Sequence, residues 1–92
     1  MTVLTAPKVT TDRQHAREFL SELPMDLSAG RVEVFFEDRT IATPSFIDEI
    51  VQELLIERRA AHLTVRNLND TMCEVASAAA EDFGVRDRLT CA

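Results

Sequence analysis

Two short stretches, residues 31–37 (Arg-Val-Glu-Val-Phe-Phe-Glu) and 62–68 (His-Leu-Thr-Val-Arg-Asn-Leu), alternate apolar and polar side chains, and each is followed by a helical apolar stripe. Such alternation marks a strand with one buried face, because successive side chains of a strand point to opposite sides. Strand then helix, twice in succession, defines βαβ units with parallel strands and right-handed crossovers. Val32, Val34 and Phe36 face one way and Glu33, Phe35 and Glu37 the other, while Leu63 and Val65 oppose His62, Thr64 and Arg66. A parallel sheet covered on both faces would read as unbroken apolar runs. The expected fold is therefore α/β, a small open, mainly parallel sheet with helices packed chiefly on one face and the other face mostly wet. Arg66 is the expected cross-strand partner of Glu33 or Glu37.

The helices carry their own boundaries. Thr11 and Gln14 form a capping-box pattern ahead of Ala16, Phe19, Leu20 and Leu23, which predicts a helix over 11–23 that Pro24 stops. Thr43 and Pro44 open a second helix, with threonine as N-cap and proline at the first helical position. Its stripe of Phe46, Ile47, Ile50, Val51, Leu54 and Leu55 predicts a helix to about Arg59. A third helix, over 70–83, is capped by Asn69, Asp70 or Thr71 and presents Met72, Val75, Ala76, Ala79 and Phe83 on one face, with Gly84 as a left-handed stop. Residues 2–6 read as an edge strand. The whole chain is one domain, 1–92, with its core over about 11–84 and tails at 1–10 and 85–92.

Composition narrows the function more by exclusion than by indication. The chain has 92 residues, with 10 basic and 16 acidic side chains and a net charge of −6. That balance argues against nucleic acid or an anionic membrane surface as a partner, since both are bound through Lys and Arg. Glycine stands only at positions 30 and 84, so no glycine-rich phosphate loop or nucleophile elbow can be built. His15 and His62 fall on different elements without a nucleophile beside them, and no cofactor or metal motif is present. Cys73 reads as a small buried hydrophobe in the third helix and Cys91 as part of a frayed terminus. The pair is too few for a disulfide framework, and its spacing fits no metal site. The opening residues lack the charged and apolar regions of a signal peptide, and no apolar run is long enough to span a bilayer, which points to the cytoplasm.

The most distinctive run is Thr43-Pro44-Ser45-Phe46-x-Asp48-Glu49, which follows the apolar strand ending at Glu37-Asp38 and precedes the strand ending in Asn67-Leu68-Asn69. This arrangement resembles the STAS family, the anti-sigma factor antagonist domains of bacterial partner-switching systems, and most closely a STAS-like variant of unknown function. The resemblance covers roughly residues 11–84. It implies a regulatory module that binds a histidine-kinase-like ATPase or an anti-sigma factor. In standard members the helix opens Asp-Ser-Ser-Gly, and the partner phosphorylates the first serine. Here Pro44 stands at that acceptor position and Phe46 at the glycine, so Ser45 matches the second serine and is the candidate phospho-acceptor.

The residues themselves leave three roles open to Ser45: a first-turn helix residue, a partner contact, or a phosphate site facing free N–H groups and the positive end of the helix dipole. Asp48 and Glu49, one turn on, would oppose a phosphate there. Glu49, Glu53 and Glu57 repeat every four residues, an acidic ridge that is either a solvated face or a docking surface for a basic partner. The expected partner-binding set is Thr43, Pro44, Ser45, Phe46, Asp48, Glu49, Glu53 and Glu57. The function expected from these features is a non-enzymatic protein-interaction module. The alternative is a self-associating structural domain, a homodimer through the wet sheet face or the N-terminal strand.

Overall fold

In chain order the elements are β1 (Thr2–Thr5), β2 (Val9–Thr10), α1 (Arg13–Leu20), β3 (Arg31–Phe35), β4 (Ile41–Ala42), α2 (Pro44–Val51), β5 (His62–Arg66), α3 (Asp70–Asp82) and β6 (Leu89–Cys91). The computed structural model describes residues 2–6, 9–10, 13–21, 23–24, 26–27, 30–38 and 41–92, of which 9, 10, 15 and 41 are described by backbone alone. The Thr11 cap falls outside the described residues. Four strands form one all-parallel sheet in the order β1-β3-β5-β6, and β2 pairs with β4 in a separate two-residue parallel ladder. The α/β class and the open parallel sheet are as the alternation predicts.

Each strand joins the sheet on the same side of its predecessor. Crossovers of one hand that always step in one direction place every helix on one face. Accordingly α2 lies between α1 and α3 and packs on both. Val32, Val34, Leu63, Val65 and Leu89 are buried beneath the helices together with Leu20, Ile47, Ile50, Val51 and Leu54. Phe19 stacks on Phe46 where α1 meets α2, with ring centroids 6.2 Å apart. Among the described residues no helix covers the other face of the sheet. Val3, Phe35, Arg66 and Thr90 are exposed there, and Glu33, His62 and Thr64 are half-buried. Arg66 donates from Nε to Glu33 Oε1, one of the two expected pairings. His62 Nε2 and Thr90 Oγ1 share a hydrogen bond of 2.6 Å on the same face.

Several expectations require correction. The second helix does not run regularly to residue 59. After Val51 it widens into a π-helical segment, Gln52–Glu57, where Arg58 N–H reaches back five residues to Glu53 O at 2.9 Å. The wider turn lets both Leu54 and Leu55 face the core. Arg58, 6% exposed, then donates from Nη1 to Leu23 O at 2.7 Å and ties the α1–β3 connection to the end of this helix.

Residues 85–92 are not a tail. Val85 is buried, a 3₁₀ turn over Arg86–Arg88 follows, and β6 pairs with β5 so that Leu89 stands opposite Leu63 and Cys91 opposite Val65. That register brings Cys91 beside the first turn of α3, where it forms a disulfide with Cys73. Neither cysteine is free, and Cys91 is not frayed. Residues 2–5 form β1, the edge strand expected over 2–6, so that part of the first ten residues is not a tail.

Phe83 is not in the core. It caps α3 with φ −91° and ψ 0°, leaves the helical face as the chain turns, and is 39% exposed. Gly84 follows with φ +73°, the left-handed stop expected there. Among the described residues no helix is long and apolar enough to cross a membrane.

Candidate functional site

In a parallel sheet the loops at the carboxyl ends of the strands gather on one edge, where ligands and partners of α/β proteins are usually met. Here the loops after β3 and β5 enclose an open cleft of about 310 Å³. Phe36, Ala42 and Leu68 supply its apolar lining, and Glu37, Asp38, Asn67 and Asn69 its polar lining. Phe36 N–H donates to Arg66 O at 3.0 Å, which holds the two loops together just past the strand ends.

Asn67 organises one wall. Its φ of +62° lies in the left-handed region, which asparagine tolerates better than most residues. From that conformation Nδ2 donates to Phe36 O at 2.6 Å and to Asp38 Oδ1 at 3.0 Å, bracing the β5–α3 loop against the loop after β3. Asn69 caps α3, accepting from Met72 N–H at 2.8 Å.

The start of α2 adjoins the cleft through Ala42. Thr43 is its N-cap, with Oγ1 accepting from Phe46 N–H at 3.4 Å, and Pro44 fills the first helical position. Pro44 and Ser45 are exposed. The cap and proline expected from the sequence are thus present, and they leave Ser45 on the surface at the second position of the helix.

The rest of the expected partner-binding set is not gathered on one surface. Phe46 is fully buried against Phe19. Glu49 does not lie on a solvated ridge: it is 3% exposed, because two arginines of α1 cover it. Arg17 Nε donates to Glu49 Oε1 and Arg13 Nη1 to Glu49 Oε2, each at 3.0 Å. Arg13 also pairs with Asp48 at 2.7 Å. Glu53 is half-buried beside Arg58, at 3.8 Å, and only Glu57 of the three ridge glutamates is exposed. The π-helical segment begins between Glu49 and Glu53, so the four-residue repeat no longer maps to one face.

Burial pushes the Glu49 carboxyl up, but the hydrogen bonds from Arg17 and Arg13 and their charges outweigh that and hold it below its ordinary value of 4.5. The hydrogen bond to Asp48, then that to Glu49, raises the Arg13 pKa above its ordinary value. The two acidic groups that would oppose a phosphate on Ser45 are therefore neutralised by two cations in contact with them.

The cleft residues Glu37, Asp38, Asn67 and Asn69 were absent from the expected set. The usable signal was an asparagine directly after a strand, a position that favours left-handed backbone. Among the described residues no group of three or more His, Cys, Asp or Glu side chains could hold a metal ion. No protein-family model, curated protein or solved structure matches the chain.

Proposed function

We propose that this chain is a STAS-like regulatory module: a non-enzymatic, cofactor-free cytoplasmic protein that binds a histidine-kinase-like ATPase or an anti-sigma factor in a bacterial partner-switching system. The observation that carries the reading is the junction of the cleft with the start of α2. An exposed Pro44-Ser45 step adjoins, through Ala42, a cleft of about 310 Å³ at the carboxyl edge of the sheet, a size and setting suited to an inserted side chain or loop of a partner. The Thr43-Pro44-Ser45-Phe46-x-Asp48-Glu49 run lies at this junction, and the strand–helix order around it accords with the family it resembles.

The docking surface is narrower than the sequence suggests. It comprises the accessible start of α2, Asp48 and the loops after β3 and β5, not the whole length of the helix. Ser45 is the acceptor in a phospho-switch, at the positive end of the α2 dipole and with the charges of Asp48 and Glu49 offset by Arg13 and Arg17. Calorimetric titration of the chain into a histidine-kinase-like ATPase from the same genome tests the reading. Saturable binding that weakens with Ser45→Asp supports it, and no binding to any such ATPase or anti-sigma factor of that genome overturns it. Incubation with ATP followed by mass spectrometry decides the phospho-switch, an unmodified Ser45 leaving binding without the switch.

A second reading, self-association, is favoured by the sheet face away from the helices, where Val3 is 59% and Phe35 39% exposed.

A further inference from the structure

The C-terminal residues hold the wall of the cleft at two points. Cys91, the last residue of β6, is bonded to Cys73 in the first turn of α3, with their Cα atoms 6.1 Å apart. Immediately beyond it, Ala92 donates its N–H to Val65 O at 2.9 Å and accepts from Asn67 N–H at 3.1 Å. Asn67 is the residue whose side chain braces the two cleft loops, and Asn69 caps the helix that carries Cys73. One covalent bond from Cys91 to the start of α3 and one backbone hydrogen bond from Asn67 to Ala92 therefore flank the loop over 67–69.

The first two residues of the edge strand are held by the ladder to β5, the His62–Thr90 hydrogen bond and the Arg88 bonds to Leu55 O and Ala60 O just before it, so the disulfide bears on its far end. β6 is three residues long and pairs only with β5; Leu89 is its one buried side chain, and Thr90 is exposed. Both cysteines keep part of their surface accessible. Where thiol pools are reducing, a disulfide that forms is typically a transient sensor, not a permanent staple.

We infer that the Cys73–Cys91 bond is a redox latch on the cleft: its reduction loosens the Cys91–Ala92 end of the edge strand and with it the 67–69 wall. The reductant is a small thiol or dithiol. Its thiolate attacks one sulfur, the Cys73–Cys91 bond breaks as a mixed disulfide forms, and a second thiol resolves it. Two electrons and two protons pass to the cysteines, and the reductant leaves as its own disulfide. An oxidised thiol of the same class closes the latch by the reverse exchange. The latch acts on the wall itself and needs no partner, so its test is independent of the binding proposal.

Hydrogen exchange of the full chain, read at single amides before and after complete reduction with dithiothreitol, tests it. Oxidised protein should have an intact mass lower by two hydrogens and resist alkylation. On reduction the amides of Asn67 and Ala92 should exchange on the order of tenfold faster or more, while the amide of Val34 in the interior strand β3 stays protected. Cys91→Ser without reductant should reproduce that pattern. Unchanged exchange at Asn67 and Ala92 in fully reduced protein overturns the latch. So does equal loss of protection at Val34, which would make the bond a global staple, and so does oxidised protein that alkylates at both thiols.

Discussion

Arg17 Nε lies 3.0 Å from Glu49 Oε1, and that contact ties α1 to α2 across the only buried carboxylate of the described residues. Removing the charge tests what the contact is for. Glu49→Gln should cost about 1–2 kcal/mol in denaturant unfolding, the low end for charge-assisted bonds because both arginines are half-exposed or more. Glu49→Lys should cost more, since it buries a cation against two others. If Glu49→Lys left stability unchanged, the carboxylate would have to be solvated after all.

The same group sets an acid sensitivity. Its folded pKa lies below the ordinary 4.5, so the unfolded chain takes up this proton first as the pH falls. The contribution to stability is complete above that ordinary value and is lost as the pH drops through the folded one. Unfolding free energy measured from pH 6 downward should fall less steeply below about 4.5 in Glu49→Gln than in the parent chain. Parallel curves would show that Glu49 does not contribute to the acid transition.

Leu54 and Phe83 should differ in how much truncation costs. Leu54 is fully buried in the π-helical segment, and Leu54→Ala should cost about 2–5 kcal/mol, a large share of the 5–15 kcal/mol typical of a domain. Phe83 is 39% exposed, and Phe83→Ala should cost less than about 1 kcal/mol in the same denaturant assay.

Asn67 separates backbone strain from side-chain bracing. Asn67→Gly keeps the positive φ at no steric cost and removes only the bonds to Phe36 O and Asp38, whereas Asn67→Ala also strains the backbone. Thermal unfolding should rank them parent, then Gly, then Ala. A more stable alanine variant would show that the left-handed conformation is not imposed there.

The sheet face away from the helices gives a test of self-association. Phe35→Ser should leave the fold intact, because its ring lies outside the core. If the chain sediments as a dimer at micromolar concentration through this face, the variant should be a monomer. A dimer that survives the substitution uses another surface.

The elements with the clearest alternation were the most legible. Alternation in 31–37 and 62–68 located β3 and β5, put Val32 and Val34, and Leu63 and Val65, on one face of each strand, and left Arg66 two partners, Glu33 or Glu37, of which the structure has Glu33. Leu89-Thr90-Cys91 is too short to show a period, so β6 and its disulfide had no local signature. Glu49 was misplaced for a related reason. Its partners come from Arg13 and Arg17 on another helix, and no spacing within α2 reports them. At the site, the Thr43 cap and the exposure of Ser45 followed from helix-start chemistry, while the cleft depended on two loops meeting in space.

The order β1-β3-β5-β6 makes the sheet a ramp and not a closed wheel: every step climbs in one direction, and among the described residues both rims stay open. Nothing in the packing of β3 or β5 depends on how many steps lie beyond the rims. An added strand–helix unit at either edge would extend the layer without rethreading the interior, as repeats extend a solenoid. Core packing thus governs the thickness of this molecule, not its width, and insertions at the rims should be tolerated where insertions within a crossover are not.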